Sequence, residues 1–246
     1  MWTYLVIFFS LAALAGVFAW RAVAYAKFTA GKNKVIFRKN EVSEMNGSKP
    51  SGLSKKTIAQ TEELYKKGES ALKSGSEDRA IKYFVQALAL DEFHVDTLQK
   101  LAILYMQKQM HGAAAALFKN LGKLTGDAVH YSHLGLALYQ QGLFEEARDA
   151  YQKAIKLDPS RPQRFVSLAQ VYRSLGQLNN SLIAMNKALD ADSENIDYML
   201  FIADVQVELK NYEESEKVAA RIIEIDPDNA DAKKCLKAIK KLIAEA

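Results

Sequence analysis

Few side chains in this 246-residue chain are equipped for bond-making chemistry, and the pair best placed for it is His130 with His133. Three residues apart on a helix, two imidazoles share one face and can reach one ion. A metal site needs at least a third ligand, and the sequence offers none at the spacing of the known metal motifs. His94 and His111 fall near turns, where solvation is expected. Cys235 sits among Lys233, Lys234 and Lys237, a setting that favours a thiolate, but a lone helix cysteine is expected to be structural. As the only cysteine it excludes an intrachain disulfide and a thiolate zinc cage. The glycines stand in turns or among packing residues, with no loop that could cradle a phosphate. These residues predict no enzyme, no metal site and no cofactor. What remains is non-covalent recognition, and the elements that would present it are written in a repeat.

The small residues that let two helices touch recur at Gly68, Ala102, Gly135, Ala169 and Ala203, in steps of 34, 33, 34 and 34. A period of this length marks stacked helix pairs. In the best-formed unit Leu134, Gly135, Gly142, Ala147, Tyr151, Ala154 and Pro159 fall at the positions of the tetratricopeptide repeat motif, and the chain resembles that family over residues 61–246. The resemblance implies an all-α fold: a right-handed α-solenoid of five helix pairs plus a C-terminal capping helix. The expected units are 61–94, 95–127, 128–161, 162–195 and 196–228, together an array over 61–228, with the cap at 229–246. Ala232, Leu236, Ile239 and Leu242 give that cap one apolar stripe under a lysine-covered face. The second unit is a residue short, and LGKLTGD at Leu121–Asp127 reads as an irregular exit. Ser181 replaces the usual Ala and Ser215 stands at a comparable packing position, so the last interfaces are expected to be looser.

In the family, the first helix of each pair lines a concave groove that binds peptides. By that register the groove carries Tyr65; Gln99, Ile103 and Met106; Leu136 and Tyr139; Val166, Gln170 and Arg173; and beyond them Leu200, Asp204 and Val207. Some relatives clamp a terminal carboxylate there with Lys and Asn, whereas this chain has Tyr65 with Glu69 and Gln99 with Ile103, so that clamp is missing. An apolar centre flanked by polar groups suits an amphipathic helix or an extended peptide with apolar anchors. The alternative is that Ile103, Leu136 and Tyr139 only pack between adjacent first helices.

Residues 1–20, MWTYLVIFFSLAALAGVFAW, contain no ionisable side chain, enough for a helix to cross a hydrocarbon core. Residues 1–26 are therefore expected to be a transmembrane anchor, and 27–60 a basic juxtamembrane tether. From Arg21 to Gln60 the net charge is +7, which leaves about −3 of the chain's +4 for the array, a balance unsuited to nucleic acid. Arg21, Lys27, Lys32, Lys34, Arg38 and Lys39 follow the span and set its orientation, with the array in the cytoplasm of a single-pass membrane protein; they could also meet anionic lipid headgroups. The layout is similar to bacterial membrane-tethered repeat proteins of envelope assembly and also to anchored receptors of organelle import, with a bacterial inner membrane as the expected location. The expected function is a membrane-tethered scaffold or adaptor that binds a protein or peptide partner. A secreted or periplasmic chaperone-like adaptor is the alternative, with the first segment acting as signal peptide or inverted anchor.

Overall fold

The computed structural model describes residues 52–245, and these form eleven helices without a strand. They are α1 (Lys55–Lys73), α2 (Glu77–Leu90), α3 (Val95–Gln107), α4 (His111–Thr125), α5 (Ala128–Tyr139), α6 (Phe144–Leu157), α7 (Pro162–Ser174), α8 (Leu178–Leu189), α9 (Ile196–Glu208), α10 (Tyr212–Ile225) and α11 (Ala230–Glu245). Odd and even helices pair as hairpins, and each even helix also packs on the next odd one, which makes a continuous solenoid closed by α11 against α10. Residues 1–51 lie outside the described residues, and with them the expected anchor and most of the tether. No helix among the described residues is long and apolar enough to cross a membrane.

One turn geometry is used five times. The chain reverses after each odd helix through a residue in the left-handed region: Gly75, Gln109, Gly142, Gly176 and Lys210, with φ of 71°, 57°, 75°, 70° and 62°. The next residue's N–H then reaches back across the turn, from Ser76 to the Ala71 carbonyl at 2.8 Å and, one repeat on, from Met110 to Tyr105 at 2.8 Å. Glycine adopts this conformation freely, whereas Gln109 and Lys210 hold it at a cost of roughly 1 kcal/mol each. Most odd helices start on a side-chain cap: Ser54 accepts from Thr57 N–H at 3.1 Å, Asp127 from Val129 N–H at 2.8 Å, Asn195 from Tyr198 N–H at 3.1 Å and Asn229 from Ala232 N–H at 2.9 Å.

Two sequence expectations are corrected here. The tether does not extend to residue 60, because the Ser54 cap starts α1 at Lys55. The stretch Leu121–Asp127 is not irregular: α4 continues through Thr125 and stops at Gly126, φ 68°, whose N–H bonds the Gly122 carbonyl at 3.1 Å. Asp127 then caps α5 at once, so the missing residue comes out of the linker and not out of the helices.

The core is small-against-large packing repeated along the stack. Ala102, Ala169 and Ala203 are fully buried, and a Cβ added at Gly68 or Gly135 would lie 2.4 Å from the Phe84 ring or 2.8 Å from the Tyr151 ring. The serines expected to loosen the last interfaces do the opposite. Ser181 and Ser215 are both fully buried, and each hydroxyl donates across its helix pair at 2.8 Å, to the Ala169 and Ala203 carbonyls respectively. Alanine, the residue expected there, has no donor to make this bond.

Candidate partner-binding site

Side-chain bonds between units run mainly from one odd helix to the next, which identifies the odd-helix face as the closely spaced side of the stack. Lys100 on α3 pairs with Glu69 on α1 at 3.0 Å. Arg164 on α7 donates to the Ser132 hydroxyl on α5 at 3.1 Å, and Tyr139 Oη lies 3.2 Å from Ser174 Oγ. Arg173 on α7 pairs with Glu208 on α9, its Nε donating at 2.7 Å. Five side chains in equivalent positions run along this face: Glu69, Ile103, Leu136, Gln170 and Asp204. Ile103 and Leu136, at its centre, are 38% and 39% exposed. Glu69 is half-buried, and Gln170 and Asp204 are exposed.

The other expected groove residues divide. Gln99 is exposed, while Met106 and Tyr65 are half-buried against the first core cluster. Burial, reinforced by the carboxylate of Glu69, pushes the Tyr65 hydroxyl up to about 12, so it stays a neutral donor. Tyr139 is half-buried, its ring 5.3 Å from that of Phe144. Val166 belongs to the core, at 7% exposure. It packs in the second core cluster with Leu168, Ala169 and Val171, so the groove register does not hold at this position. Arg173 is also committed, since its guanidinium lies over the Phe201 ring at 5.2 Å as well as on Glu208. Ile103 and Leu136, each a little over a third exposed, are therefore the two aliphatic groove residues that reach solvent most.

The histidines are less solvated than expected. His94 caps α3, its Nδ1 accepting from Thr97 N–H at 3.3 Å, and its Nε2 lies 3.7 Å from Glu62. His111 Nδ1 is buried with no hydrogen-bond partner among the described residues. His130 is 5% exposed, its Nδ1 equally unpartnered, and His133 stacks on Phe118 with centroids 5.0 Å apart. Burial lowers the pKa of both His130 and His133; for His133 the neighbouring His130 adds to the shift. No group of three or more His, Cys, Asp or Glu among the described residues could hold a metal ion.

Two features were missed in the sequence. Arg164, 4% exposed, holds the Asp158 carboxylate at 2.6 Å and also bonds the Asp158 carbonyl, tying the exit of one unit to the entry of the next. Ser160 and this arginine hold the Asp158 carboxyl far below the usual range. No periodic signal announces such a residue. The second is an open cleft of about 670 Å³ between α9 and α11, with Leu200, Asp204 and Val207 on one wall. Its signal was present as Cys235, Ala238 and Leu242, spaced three and four apart, with Leu242 shared with the capping stripe.

Models of the tetratricopeptide repeat match residues 64–94, 128–161, 163–195 and 182–239, together more than half of the chain. The chain belongs to the tetratricopeptide repeat family. This repeat protein is 29% identical over 100 residues to human "Tetratricopeptide repeat protein 7B", covering 40% of this chain and 12% of that one. It is 25% identical over 183 residues to "DnaJ homolog subfamily C member 7 homolog" of Schizosaccharomyces pombe, covering 73% and 34%. It thus spans about a third or less of the length of these curated relatives. The crystal structure of MamA protein superposes with a TM-score of 0.64 at 25% identity, over 68% of this chain and 92% of that one. YrrB, described as a tetratricopeptide repeat protein with an unusual peptide-binding site, superposes at 0.63 with 18% identity, over 76% and 100%, which shows the shared fold. The fold is that of a protein–protein interaction scaffold, and Ile103 and Leu136 are the exposed large aliphatic side chains on the row from Glu69 to Asp204.

Proposed function

We propose that this chain is an adaptor that holds a protein partner, as a peptide or an amphipathic helix, on the odd-helix face of its array. We further propose that residues 1–26 tether it to a membrane, with the array on the cytoplasmic side. The observation that carries the binding reading is the pair Ile103 and Leu136, one repeat apart and each more than a third exposed at the centre of the row from Glu69 to Asp204. The exposed part of a bulky aliphatic side chain contributes nothing to the solenoid's own stability, so two such side chains at one register of this face fit a contact with another molecule. The uncharged residues 1–20 and the basic flank after them support the tether. Tethering raises the local concentration of the bound partner at the bilayer without any further contact.

The test is Ile103→Glu combined with Leu136→Glu, assayed by partner capture from native membranes and by circular dichroism on the same sample. These two sites are preferred to Tyr139, which also bonds Ser174 and would confound folding with binding. Helicity and melting are expected to be unchanged while capture falls by at least tenfold, the loss of about 1.4 kcal/mol from a hot-spot contact. Unfolding of the variant would assign both residues to packing, and undiminished capture would move the partner to another face. Retention of the protein in membranes after alkaline carbonate extraction tests the anchor, and release into the supernatant overturns it.

A further inference from the structure

The cleft between α9 and α11 lies at the C-terminal end of the odd-helix face, and its charge is unbalanced. Leu200, Asp204 and Val207 share one face of α9, and Ala238 and Leu242 line the facing side of α11. Leu200, Val207 and Leu242 are half-buried and Ala238 is exposed, so the walls are apolar but not closed. Five charged side chains border it: Arg173, Lys234, Asp204, Glu208 and Asp231. Arg173 is taken by Glu208, and Lys234 lies 3.4 Å from Asp231. Both cations have a carboxylate, and the carboxylate of Asp204 makes no ion pair among the described residues. At the opposite end of the same row Glu69 is already neutralised by Lys100 at 3.0 Å. The row therefore has an aliphatic centre at Ile103 and Leu136, a paired carboxylate at Glu69 and, at the C-terminal end, a cleft whose Asp204 carboxylate has no cation among the described residues.

We propose that α11 is a binding wall as well as a cap, and that the cleft takes a peptide segment in which a bulky aliphatic residue is followed closely by Arg or Lys. The aliphatic side chain enters between Val207 and Leu242, and the cation meets Asp204. Because Asp204 lacks a cation among the described residues while Glu69, its counterpart in the first unit, holds Lys100, the contact also fixes the direction in which a partner lies along the face. The proposal extends the groove reading above and can fail separately from it.

Cys235, the only cysteine of the chain, borders the cleft and is half-buried, so its alkylation reports occupancy. The experiment follows iodoacetamide labelling of the full chain in mild detergent. Three synthetic twelve-residue peptides are added, identical except for a central Leu-Leu-Arg, Leu-Leu-Glu or Ser-Ser-Arg. The Leu-Leu-Arg peptide should slow labelling, and the other two should need about tenfold higher concentration for the same effect. That factor follows from exchanging one favourable surface ion pair for one repulsive contact, or from losing the aliphatic anchor. Asp204→Asn, an exposed change that leaves helicity intact, should bring the Arg and Glu peptides to within about twofold of each other. Labelling unaffected by the Leu-Leu-Arg peptide at millimolar concentration, or equal protection by the Arg and Glu peptides, overturns the proposal. The groove reading is judged apart, by capture with Ile103→Glu and Leu136→Glu: protection with undiminished capture keeps the cleft and removes the groove, and lost capture without protection does the reverse.

Discussion

Replacing helix glycines by alanine separates the two forces that shape this array. In an exposed helix interior Gly→Ala stabilises by about 1 kcal/mol, because the glycine loses more backbone freedom on folding. At Gly68 and Gly135 that gain meets a clash: the new Cβ would lie 2.4 Å from Phe84 Cε1 or 2.8 Å from Tyr151 Cδ2 and Cε2, closer than carbon atoms approach without displacement. Both rings are buried, Phe84 at 0% and Tyr151 at 4% exposure, so they have little room to yield. Overpacking of this kind costs about 1–3 kcal/mol, and against the propensity gain the net expectation is a loss of up to about 2 kcal/mol. Gly122, whose Cβ would meet the Tyr131 ring at 2.9 Å, should behave like Gly135 and also weaken the contact between neighbouring units. Gly112 is the control, since a Cβ there meets only the flexible end of Gln141 at 3.4 Å, and its alanine variant should be neutral or slightly more stable. Urea titrations followed by circular dichroism rank the four, with Gly68→Ala least stable. Tyr151→Leu should relieve part of the penalty at Gly135 in a double-mutant cycle. Alanine variants at 68 and 135 that both gain stability would show that the close approach does not govern packing, and would refute the argument.

The buried serines and histidines give two further tests. Ser181→Ala and Ser215→Ala should each lower stability by about 0.5–1.5 kcal/mol, the net value of one interhelical hydrogen bond; melting temperatures equal to or above the unaltered chain would return these serines to the role of weakened alanines. His130 and His133 have lowered pKa values in the fold, mainly through burial, so the unfolded chain takes up their protons first. Their contribution to stability is whole above the ordinary imidazole value of 6.5 and is lost as pH falls below it toward the depressed values. Denaturation midpoints measured from pH 7.5 to pH 5 should fall on acidification, and less so in His133→Gln; identical pH profiles for the two proteins would contradict this.

The sequence was most informative where one physical requirement recurs. Five contacts between helices need a small residue at one period, so Gly68, Ala102, Gly135, Ala169 and Ala203 are legible without coordinates. The turn register could be read the same way only where glycine marks it, and Gln109 and Lys210 hide two of its five positions. Interactions that occur once were hidden. Arg164 reaches Asp158 and Ser132 across a unit boundary, and Val166 lies in the core although the register places it with the groove. Ser181 shows the reverse error, because its likeness to a weakened alanine concealed a hydrogen bond that depends on where the Ala169 carbonyl points.

The same distinction bears on binding. A residue that recurs because the stack needs it is buried in every unit, as at the five small positions. The row from Glu69 to Asp204 keeps its geometry through all five units and changes its chemistry from one to the next: carboxylate, aliphatic, aliphatic, amide, carboxylate. Packing constraints would drive such a row toward uniformity, since each member faces equivalent neighbours. A row whose positions are fixed by the fold and whose side chains are not is free to be set by another molecule. Along this row the carboxylate without a cation among the described residues is Asp204, and the partly exposed aliphatic carbon is at Ile103 and Leu136. Specificity then resides in the order of chemistry along the row, so exchanging Glu69 and Asp204 for neutral amides should alter which peptides bind and leave the solenoid itself intact.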